Sequence, residues 1–481
     1  MRDDNLEVER KVSMGQKIAF GFGMLANQMF PASLQIFMVI LVQDLGFAPH
    51  LWGLIFFLPR FLDAITDPIM GFISDNTRSK WGRRRQYIFV GALITGASFI
   101  AMWQMYEVNG AIYNFWYFLS FSFLFYLGIT IFSVPYVAMG YEMSDDFHER
   151  TRIMAVAQWI GQWAWVIAPW FWVIFYDPEW FDSAEDGARK VSIFVGIICT
   201  ILATIPAVFV RSKSTLNDST LTPLNFKYLS NNLGKIFSSF RYALLNKPFR
   251  KLCIATFLIF NSFNTIAAFS FFIIVYYLFN GDAAAAGIWP TLHGCIAALA
   301  TTFLVIPVVT KMSEKLGKRK SFMISQGISV FGYVLFWFLF VPGKPYYFLY
   351  ALPFFSFGIG GLFTLMMSMT ADVCDLDELN NGRPRKEATF GAIYWLMVKF
   401  GFAIAGLLSG LIMSLVGFEP NAVEQPEGAV FWLRVFYSAF PILGTLLAIY
   451  IMRNYEISES KAQEIKRELL RREGTVVEPQ S

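Results

Sequence analysis

Twelve long apolar segments, each separated from the next by a polar stretch, most constrain how this chain can fold. Their approximate bounds are 18–43, 51–74, 87–106, 112–140, 153–176, 191–210, 252–279, 288–310, 321–341, 346–371, 388–416 and 429–452. A helix that crosses a bilayer needs roughly 20 mostly apolar residues. Only 15% of the residues are charged, whereas soluble domains average about 25%. The pattern predicts an all-α membrane protein with twelve transmembrane helices, and it excludes a soluble multidomain enzyme.

The longest polar interruption divides the twelve segments into six plus six. We predict an N-terminal six-helix half, a cytoplasmic linker, a C-terminal six-helix half and a cytoplasmic tail, at 1–210, 211–251, 252–452 and 453–481. Apolar residues recur at three- and four-residue steps over 226–244, which predicts an amphipathic helix at the membrane surface. The stretch 455–472 is predicted to be a charged helix.

The basic residues are distributed unevenly between the two sets of connections. Of the 39 Lys and Arg residues, 33 lie in the two tails and in the loops after spans 2, 4, 6, 8 and 10, and only 3 lie in the opposite loops. Cytoplasmic loops of membrane proteins carry the excess of basic residues. We therefore predict a multi-pass protein of the inner (plasma) membrane with both termini cytoplasmic. A net charge of only +4 gives no reason to expect a nucleic-acid partner, and nothing in the pattern requires the chain to be other than a monomer.

Span 2 carries three charged residues on one helical face. At 100° per residue, Arg60, Asp63 and Asp67 fall within a stripe about 60° wide. Charge inside a span costs several kcal/mol and usually marks function. Two carboxylates one turn apart can hold a cation or share a proton. Lys399 is the only lysine deep within a span, so we expect it to face these carboxylates; a static salt bridge between two helices is the alternative.

A loop motif and its echo in the second half indicate how the halves are related. Span 2 ends in Asp67-Pro68-x-x-Gly71-x-x-x-Asp75, and Gly82-Arg83-Arg84-Arg85 follows; after span 8 the corresponding run is Gly317-Lys318-Arg319-Lys320. This is the loop 2–3 signature of the major facilitator superfamily, and two related six-helix halves are typical of secondary transporters. We predict that seven residues act in gating: Gly71, Asp75, Gly82, Arg83, Arg84, Glu142 and Arg150.

Nearly the whole chain resembles one branch of that superfamily. The run from Asp63 to Gly71, Phe20-Gly21-Phe22-Gly23 at the start of span 1 and Val398-Lys399 in span 11 resemble the glycoside–pentoside–hexuronide:cation symporters, typified by melibiose permease. The resemblance implies a major facilitator fold of twelve helices in two six-helix repeats. It also implies import of a sugar-like solute by alternating access. By the same resemblance, Asp63 and Asp67 are the coupling carboxylates, with Arg60 as their neighbour, Thr130 as a cation ligand and Lys399 as the balancing base.

The chain departs from the family pattern at three positions. Gln28 stands where the sugar–cation members carry an aspartate in span 1, Ser133 replaces an aspartate in span 4, and Gln158 replaces an arginine in span 5. Amides supply both donors and acceptors, and an indole face packs against the apolar face of a sugar ring. We therefore predict a neutral solute site, with polar interhelical contacts as the alternative for any single residue. Its candidate residues are Asn27, Gln28, Ser133, Gln158, Gln162, Trp165, Asn261, Asn264 and Trp395.

The charged residues that remain within the spans indicate which ion is coupled to transport. A dry Na⁺ site needs several oxygen ligands and balancing negative charge, whereas a proton needs one carboxylate whose affinity for it changes between states. With two acid positions replaced and two basic residues expected nearby, the sequence favours H⁺, and Na⁺ at Asp63 and Asp67 is the alternative. No cofactor is predicted, and the expected partners are a small solute, a coupling cation and the bilayer.

Two other functions remain open at this point. The lysolipid transporters of animals resemble this family too, so a carrier of amphiphiles fits the high content of 52 phenylalanines. A receptor that binds solute without transporting it is a second alternative, although the 29-residue tail is too short for a signalling domain.

Overall fold

A computed structural model describes residues 12–144, 147–212, 214–216, 234, 238, 240–381, 387–420, 422 and 424–472. Within these residues the regular secondary structure is helical. The α-helices are α1 Met14–Gln43, α2 Pro49–Asp75, α3 Arg85–Met102, α4 Ala111–Glu142, α5 Phe147–Ile167, α6 Trp170–Tyr176, α7 Ala184–Phe209, α8 Lys247–Phe272, α9 Ala283–Ala286, α10 Trp289–Leu299, α11 Ile306–Leu316, α12 Lys318–Leu339, α13 Leu352–Asn381, α14 Glu387–Leu415, α15 Ala429–Arg453 and α16 Glu459–Arg472. Two π-helical stretches, Ile273–Leu278 and Ala300–Val305, extend α8 and join α10 to α11. Short 3₁₀ turns lie at Glu107–Asn109 and Pro345–Ala351.

The predicted all-helical architecture is confirmed, and the twelve apolar segments all fall on helices. Each apolar segment coincides with one helix or with helices that directly continue one another. In the described part of the chain, ten of these stretches are long and apolar enough to cross a membrane by composition alone. The other two are α2, which carries the charged stripe of span 2, and the α5–α6 pair, which Pro169 divides.

Local sequence explains where several helices begin. Ser13, Ser183 and Asn246 each precede a helix, and each side chain accepts a hydrogen bond from a backbone N–H in the first turn. Such caps satisfy donors that the helix itself leaves unpaired. Gly317 separates α11 from α12 with a φ of +79°, a conformation that side chains with a Cβ rarely adopt.

Glycines set the distance between α3 and α4. A Cβ added to Gly91 would lie 2.4 Å from the backbone nitrogen of Phe132, and one added to Gly128 would lie 2.8 Å from that of Thr95. Backbone therefore meets backbone at both crossings, as is common where small residues line a membrane-helix contact. The close contact fixes α4 at a position that matters for the candidate site.

The chain forms two compact units. Unit 1 comprises Met1–Gly234, Asp282–Cys295 and Glu419–Val423, and unit 2 comprises Lys235–Gly281, Ile296–Phe418 and Glu424–Ser481. Segment 282–295 packs within unit 1, where Thr291 Oγ1 donates to the carbonyl of Pro169 at 2.7 Å. Pro169 separates α5 from α6, and its backbone carbonyl beside this break can accept a hydrogen bond from a side chain. The two units are defined by contacts between residues. The predicted boundaries 1–210 and 252–452 are defined by the two six-helix repeats, so they stay a prediction.

The linker and the tail are only partly described. The predicted amphipathic helix over 226–244 lies mostly outside the described residues, although at its end Tyr242 donates from its hydroxyl to Asp377 Oδ1 at 2.6 Å. The tail helix α16 begins at Glu459 rather than at residue 455. Ile465 in α16 is buried, and Arg472 donates to the carbonyl of Leu379 on α13 at 2.8 Å. The tail helix is therefore docked on unit 2.

Candidate functional site

The two carboxylates of span 2 meet a threonine of α4. Thr130 Oγ1 lies 2.7 Å from Asp63 Oδ1 and 3.0 Å from Asp67 Oδ1. Asp63 and Thr130 are buried, with 5% and 1% exposure, and Asp67 is half-buried. Because residues 63 and 67 are one turn apart, both carboxylates point from the same face of α2. We call these three residues the carboxylate cluster.

A second hydroxyl, which the sequence reasoning missed, borders this cluster. Thr66 Oγ1 lies 3.2 Å from Thr130 Oγ1 and 3.2 Å from the backbone carbonyl oxygen of Asp63. The only signal in the sequence was its position between the two aspartates. Its hydroxyl adds a neutral oxygen that can accept a hydrogen bond or contact a hard cation.

Thr130 can donate to only one of the two carboxylates at a time. A hydroxyl has one O–H donor and two acceptor lone pairs, and that of Thr130 lies within hydrogen-bond distance of both acids. Two ionised carboxylates this close to one another would repel each other. The cluster therefore brings two acid groups together at one hydroxyl.

Arg60, the third member of the charged stripe, lies one turn before Asp63. Its Nη1 donates to the carbonyl of Phe56 at 3.1 Å. Its guanidinium lies 5.0 Å from the centroid of the Phe56 ring and 5.6 Å from that of Tyr126. Aromatic faces attract a cation, so Tyr126 of α4 helps hold Arg60 in position.

Lys399 lies in α14 of unit 2 and is half-buried. It is therefore carried by a different compact unit from the carboxylate cluster. Its pairing with the carboxylates of α2 stays a prediction.

Among the candidate solute residues of unit 1, Gln28 and Trp165 contact each other directly. The indole Nε1 of Trp165 donates to Gln28 Oε1 at 3.0 Å, so α1 and α5 bring these two side chains together across 137 positions of sequence. Within the described residues, the contact found for the Asn27 side chain is a long one, 4.0 Å from its Nδ2 to the sulfur of Met24. The remaining candidates are half-buried Ser133, exposed Gln158 and half-buried Gln162.

The candidate solute residues of unit 2 differ in exposure. Asn261 and Asn264 are buried and donate from Nδ2 to the backbone carbonyls of Gly401 and Phe260. Trp395 is 47% exposed. Both amide side chains are thus used in helix packing, and Trp395 is the exposed candidate of unit 2.

The predicted gating residues form an ionic cluster at the ends of α2, α3 and α4. Arg84 Nη2 lies 2.7 Å from Asp75 Oδ1 and 2.8 Å from Glu142 Oε1. Arg83 also pairs with Glu142, and it donates to the backbone carbonyl of Asp75 at 3.1 Å. We call these four residues the loop latch. Arg84 is buried, so breaking the latch leaves a buried charge without its partners.

Three other gating candidates behave differently. Gly82 has a φ of +88°, so the turn before the arginines requires glycine. The expected close helix approach at Gly71 is not observed, because an added Cβ would only make ordinary contact with Val134 at 3.8 Å. Arg150 forms no ion pair with the described residues. Instead, a residue that sequence reasoning missed is paired: Glu149 lies 2.7 Å from Lys17 Nζ.

The echo in the second half also forms an ion pair. Lys318 follows Gly317 as Arg83 follows Gly82, and its Nζ lies 2.8 Å from both carboxylate oxygens of Asp372 on α13. The sequence showed the matching offset of the basic residues but did not identify this partner. Both halves therefore tie a basic loop to the end of a neighbouring helix.

If the loop latch serves conformational cycling, Asp75→Asn should slow uptake and leave solute affinity within a few-fold. The substitution keeps the shape of the side chain but removes the charge that Arg84 contacts, and the site of solute binding is not touched. Initial uptake rates and equilibrium binding, measured on the same purified variant, test this. A large loss of binding with normal cycling would contradict the latch.

Comparison with known proteins identifies the class. The family described as "MFS/sugar transport protein" matches residues 19–459. Similar proteins include the uncharacterized symporter YjmB of Bacillus subtilis, 22% identical over 97% of each chain, and the glucuronide carrier protein homolog of Escherichia coli, 23% identical over 95% of this chain and 96% of that one. The sodium-dependent lysophosphatidylcholine symporter 1 of Xenopus tropicalis is 22% identical over 96% of this chain and 90% of its own.

Solved structures agree on the fold. The nucleoside transporter NupG superposes with a TM-score of 0.62 at 14% identity, covering 92% of this chain and 100% of that chain. A bacterial homologue of the lysosomal transporter Spinster also gives 0.62 at 14% identity, covering 98% and 100%. The solved structures show the major facilitator fold, and the family match over residues 19–459 makes the chain a membrane transporter rather than an enzyme. The chain belongs to the MFS/sugar transport protein family, and the resemblance to the glycoside–pentoside–hexuronide:cation symporters is confirmed.

Proposed function

We propose that this protein is a proton-coupled symporter that imports a sugar-like solute by alternating access. The observation that carries the proposal is the carboxylate cluster, in which Asp63 and Asp67 share the hydroxyl of Thr130. Charged groups at this depth in a membrane helix are expensive unless they have a function. The names of the relatives support symport, and one of them is a glucuronide carrier homologue.

The proximity of the two acids supports a proton as the coupling ion. A proton held by one of them would relieve the repulsion between two like charges around Thr130. In the proposed cycle, protonation changes with the separation of α2 and α4 and with the approach of a base, for which Lys399 is our candidate. Na⁺ is the alternative, since Thr66 and Thr130 add neutral oxygens to the two carboxylates.

Gradient-driven uptake separates the two ions. Proteoliposomes containing the full chain should accumulate a test sugar when the outside is made acidic at fixed Na⁺. One pH unit supplies about 1.4 kcal/mol per coupled proton, or roughly tenfold accumulation. The test panel is a methyl glycoside, a pentose and a methyl hexuronide, with the membrane potential clamped and protein-free vesicles as control. Accumulation driven only by a Na⁺ gradient at fixed pH would contradict proton coupling.

A carrier of amphiphiles is the second candidate. It is favoured by the similarity to the lysophosphatidylcholine symporter of Xenopus tropicalis. The same vesicles distinguish the two candidates, because uptake of a labelled lysophospholipid without uptake of any sugar in the panel would replace the sugar proposal. A receptor that only binds solute would bind a panel sugar and accumulate none.

The proposed orientation places both termini in the cytoplasm of an inner or plasma membrane. Reporter fusions test it directly. A phosphatase that is active only outside the cytoplasm should be active when fused after Gly281 and inactive when fused after Arg472, because an odd number of spans separates the former from the N-terminus. The reverse pattern would contradict the orientation.

A further inference from the structure

Arg434 is a charged residue of α15 that has no acidic partner among the residues that the structure describes. It lies in the second turn of that helix, and its Nη2 donates to the backbone carbonyl of Trp337 at 3.1 Å. A guanidinium has five N–H donors, and no nitrogen of Arg434 is both fully buried and without a partner. The nitrogens that the protein leaves unpaired therefore reach its surface. A cation inside a span is costly unless a negative charge lies beside it.

Two aromatic rings hold this guanidinium in place. Its Cζ lies 3.6 Å from the centroid of the Tyr277 ring and 4.7 Å from that of the Trp337 ring. Aromatic faces attract a cation but carry no net charge that would neutralise it. The N–H donors of a guanidinium project from its edge, so contact with ring faces leaves donors available to an anion. We call Arg434, Tyr277 and Trp337 the arginine clamp.

A π-helical stretch carries Tyr277 to this position. The stretch is Ile273–Leu278, which extends α8, and its other five residues are buried whereas Tyr277 is half-buried. Short π-helical stretches that interrupt α-helices occur frequently at functional sites. The residue that this stretch leaves partly exposed is the one that contacts Arg434.

The arginine clamp lies where three helices of unit 2 end or begin. Tyr277 is next to the last residue of its stretch, Trp337 is in the last turn of α12, and Arg434 is close to the start of α15. Tryptophan and tyrosine are enriched where membrane spans meet the lipid headgroups. The clamp is therefore at headgroup depth, and in the proposed orientation it is on the outer side of the membrane.

The surface beside the clamp is apolar. Phe338, Phe431 and Trp432 are each more than half exposed, and the centroids of the Phe431 and Trp337 rings are 6.1 Å apart. In a membrane transporter, exposed aromatic side chains near the end of a span contact lipid. Free donors at headgroup depth next to an apolar surface match the two parts of a phospholipid, its phosphate and its acyl chains.

We propose that the arginine clamp binds the phosphate of a membrane phospholipid, whose acyl chains cover Phe338, Phe431 and Trp432. The phosphate supplies the negative charge that Arg434 lacks, and a guanidinium can donate to two phosphate oxygens at once. A free anion would satisfy the charge but would make no use of the apolar surface beside it. This inference does not depend on which solute or coupling ion the transporter uses.

The test compares two lipids with the same acyl chains. Dioleoylphosphatidylglycerol carries a phosphate, and dioleoylglycerol does not. Native mass spectrometry of the full chain, purified in detergent, measures the affinity of the first lipid bound. The wild type should bind the phosphatidylglycerol about tenfold more tightly, as expected for hydrogen bonds to a charged group. Arg434→Gln should lose this preference and keep its affinity for dioleoylglycerol.

The matched control is Lys344→Gln. Lys344 is an exposed cation in the loop after α12, and its Nζ lies 5.5 Å from the centroid of the Tyr347 ring. The substitution also removes one positive charge beside an aromatic ring, but outside the clamp, so the wild-type preference should remain. A preference in Arg434→Gln equal to that of the wild type, or an equal loss in Lys344→Gln, overturns the proposal.

Two further variants decide the matter if Arg434→Gln does not fold. Tyr277→Leu removes one ring face, and Arg434→Lys keeps the charge without the planar fork of donors. Each should reduce the preference for phosphatidylglycerol several-fold, and an undiminished preference in both contradicts the clamp. Excess inorganic phosphate should leave phosphatidylglycerol bound to the wild type. Its displacement would show that the clamp takes a free anion, and the lipid assignment would then be wrong.

Discussion

Asp67→Asn should abolish accumulation of solute against a gradient and leave exchange of solute across the membrane in place. Asparagine has almost the same shape as aspartate and can still contact the hydroxyl of Thr130, which lies 3.0 Å from Asp67 Oδ1. Asparagine does not gain or lose a proton near neutral pH, and it has no negative charge with which to bind a cation. The coupling between ion and solute therefore disappears, while the helices keep their packing.

The measurement compares two assays on the same vesicles. In the first assay, the imposed gradient should no longer raise the solute concentration inside the vesicles above that outside. In the second assay, counterflow of labelled external solute into solute-loaded vesicles should persist. The matched control is Asp282→Asn, since Asp282 caps α9 by accepting from the N–H of Ala285 and asparagine caps equally well. Gradient-driven accumulation that survives in Asp67→Asn, with either ion, would remove α2 from the coupling mechanism.

Membrane spans and intramembrane charges were predictable from the sequence because both follow from the cost of placing groups in lipid. About twenty apolar residues are needed to cross, so the twelve segments could be read directly. Asp63 and Asp67 stood out because each is costly in a span, and their spacing placed them on one face. The loop latch was predictable for a similar reason, since acidic and basic residues gather where the chain leaves the bilayer.

Contacts between distant segments were not predictable in the same way. Gln28 and Trp165 were both proposed to meet solute, and no pattern within α1 or α5 shows that one side chain binds the other. Thr66 was missed because a hydroxyl in a helix commonly bonds its own backbone, so its type carries little signal. Glu149 was missed because its partner Lys17 is more than a hundred positions away.

The glycines also show that sequence motifs do not predict where helices come close together. Gly71 lies in a recognised motif and was expected at a close helix approach, yet an added Cβ there would make only ordinary contact. Gly91 belongs to no motif that the sequence singled out, and it lies directly against the backbone of α4. The motif predicts a gating role for Gly71, whereas close packing depends on where two helices cross, which the motif does not specify.

Gly91→Ala should therefore be among the most damaging single-methyl substitutions in this chain. The new Cβ would lie 2.4 Å from the backbone nitrogen and 2.7 Å from the Cα of Phe132, and a helix backbone cannot rotate away as a side chain can. Overpacking of this kind typically costs about 1–3 kcal/mol. Because Thr130 is two residues before Phe132 on α4, a displaced α4 should also lengthen the contacts of Thr130 with Asp63 and Asp67.

A thermal melt of the detergent-solubilised protein and an uptake assay in proteoliposomes test this expectation together. The apparent melting temperature of Gly91→Ala should fall, and the variant should lose gradient-driven accumulation in proportion to the displacement of Thr130. Gly327→Ala is the control, since its Cβ has no neighbour within 4 Å and alanine favours a helix over glycine by about 1 kcal/mol. If Gly91→Ala is as stable and as well coupled as Gly327→Ala, then α3 and α4 do not meet as closely as described, and the position of Thr130 does not depend on that contact.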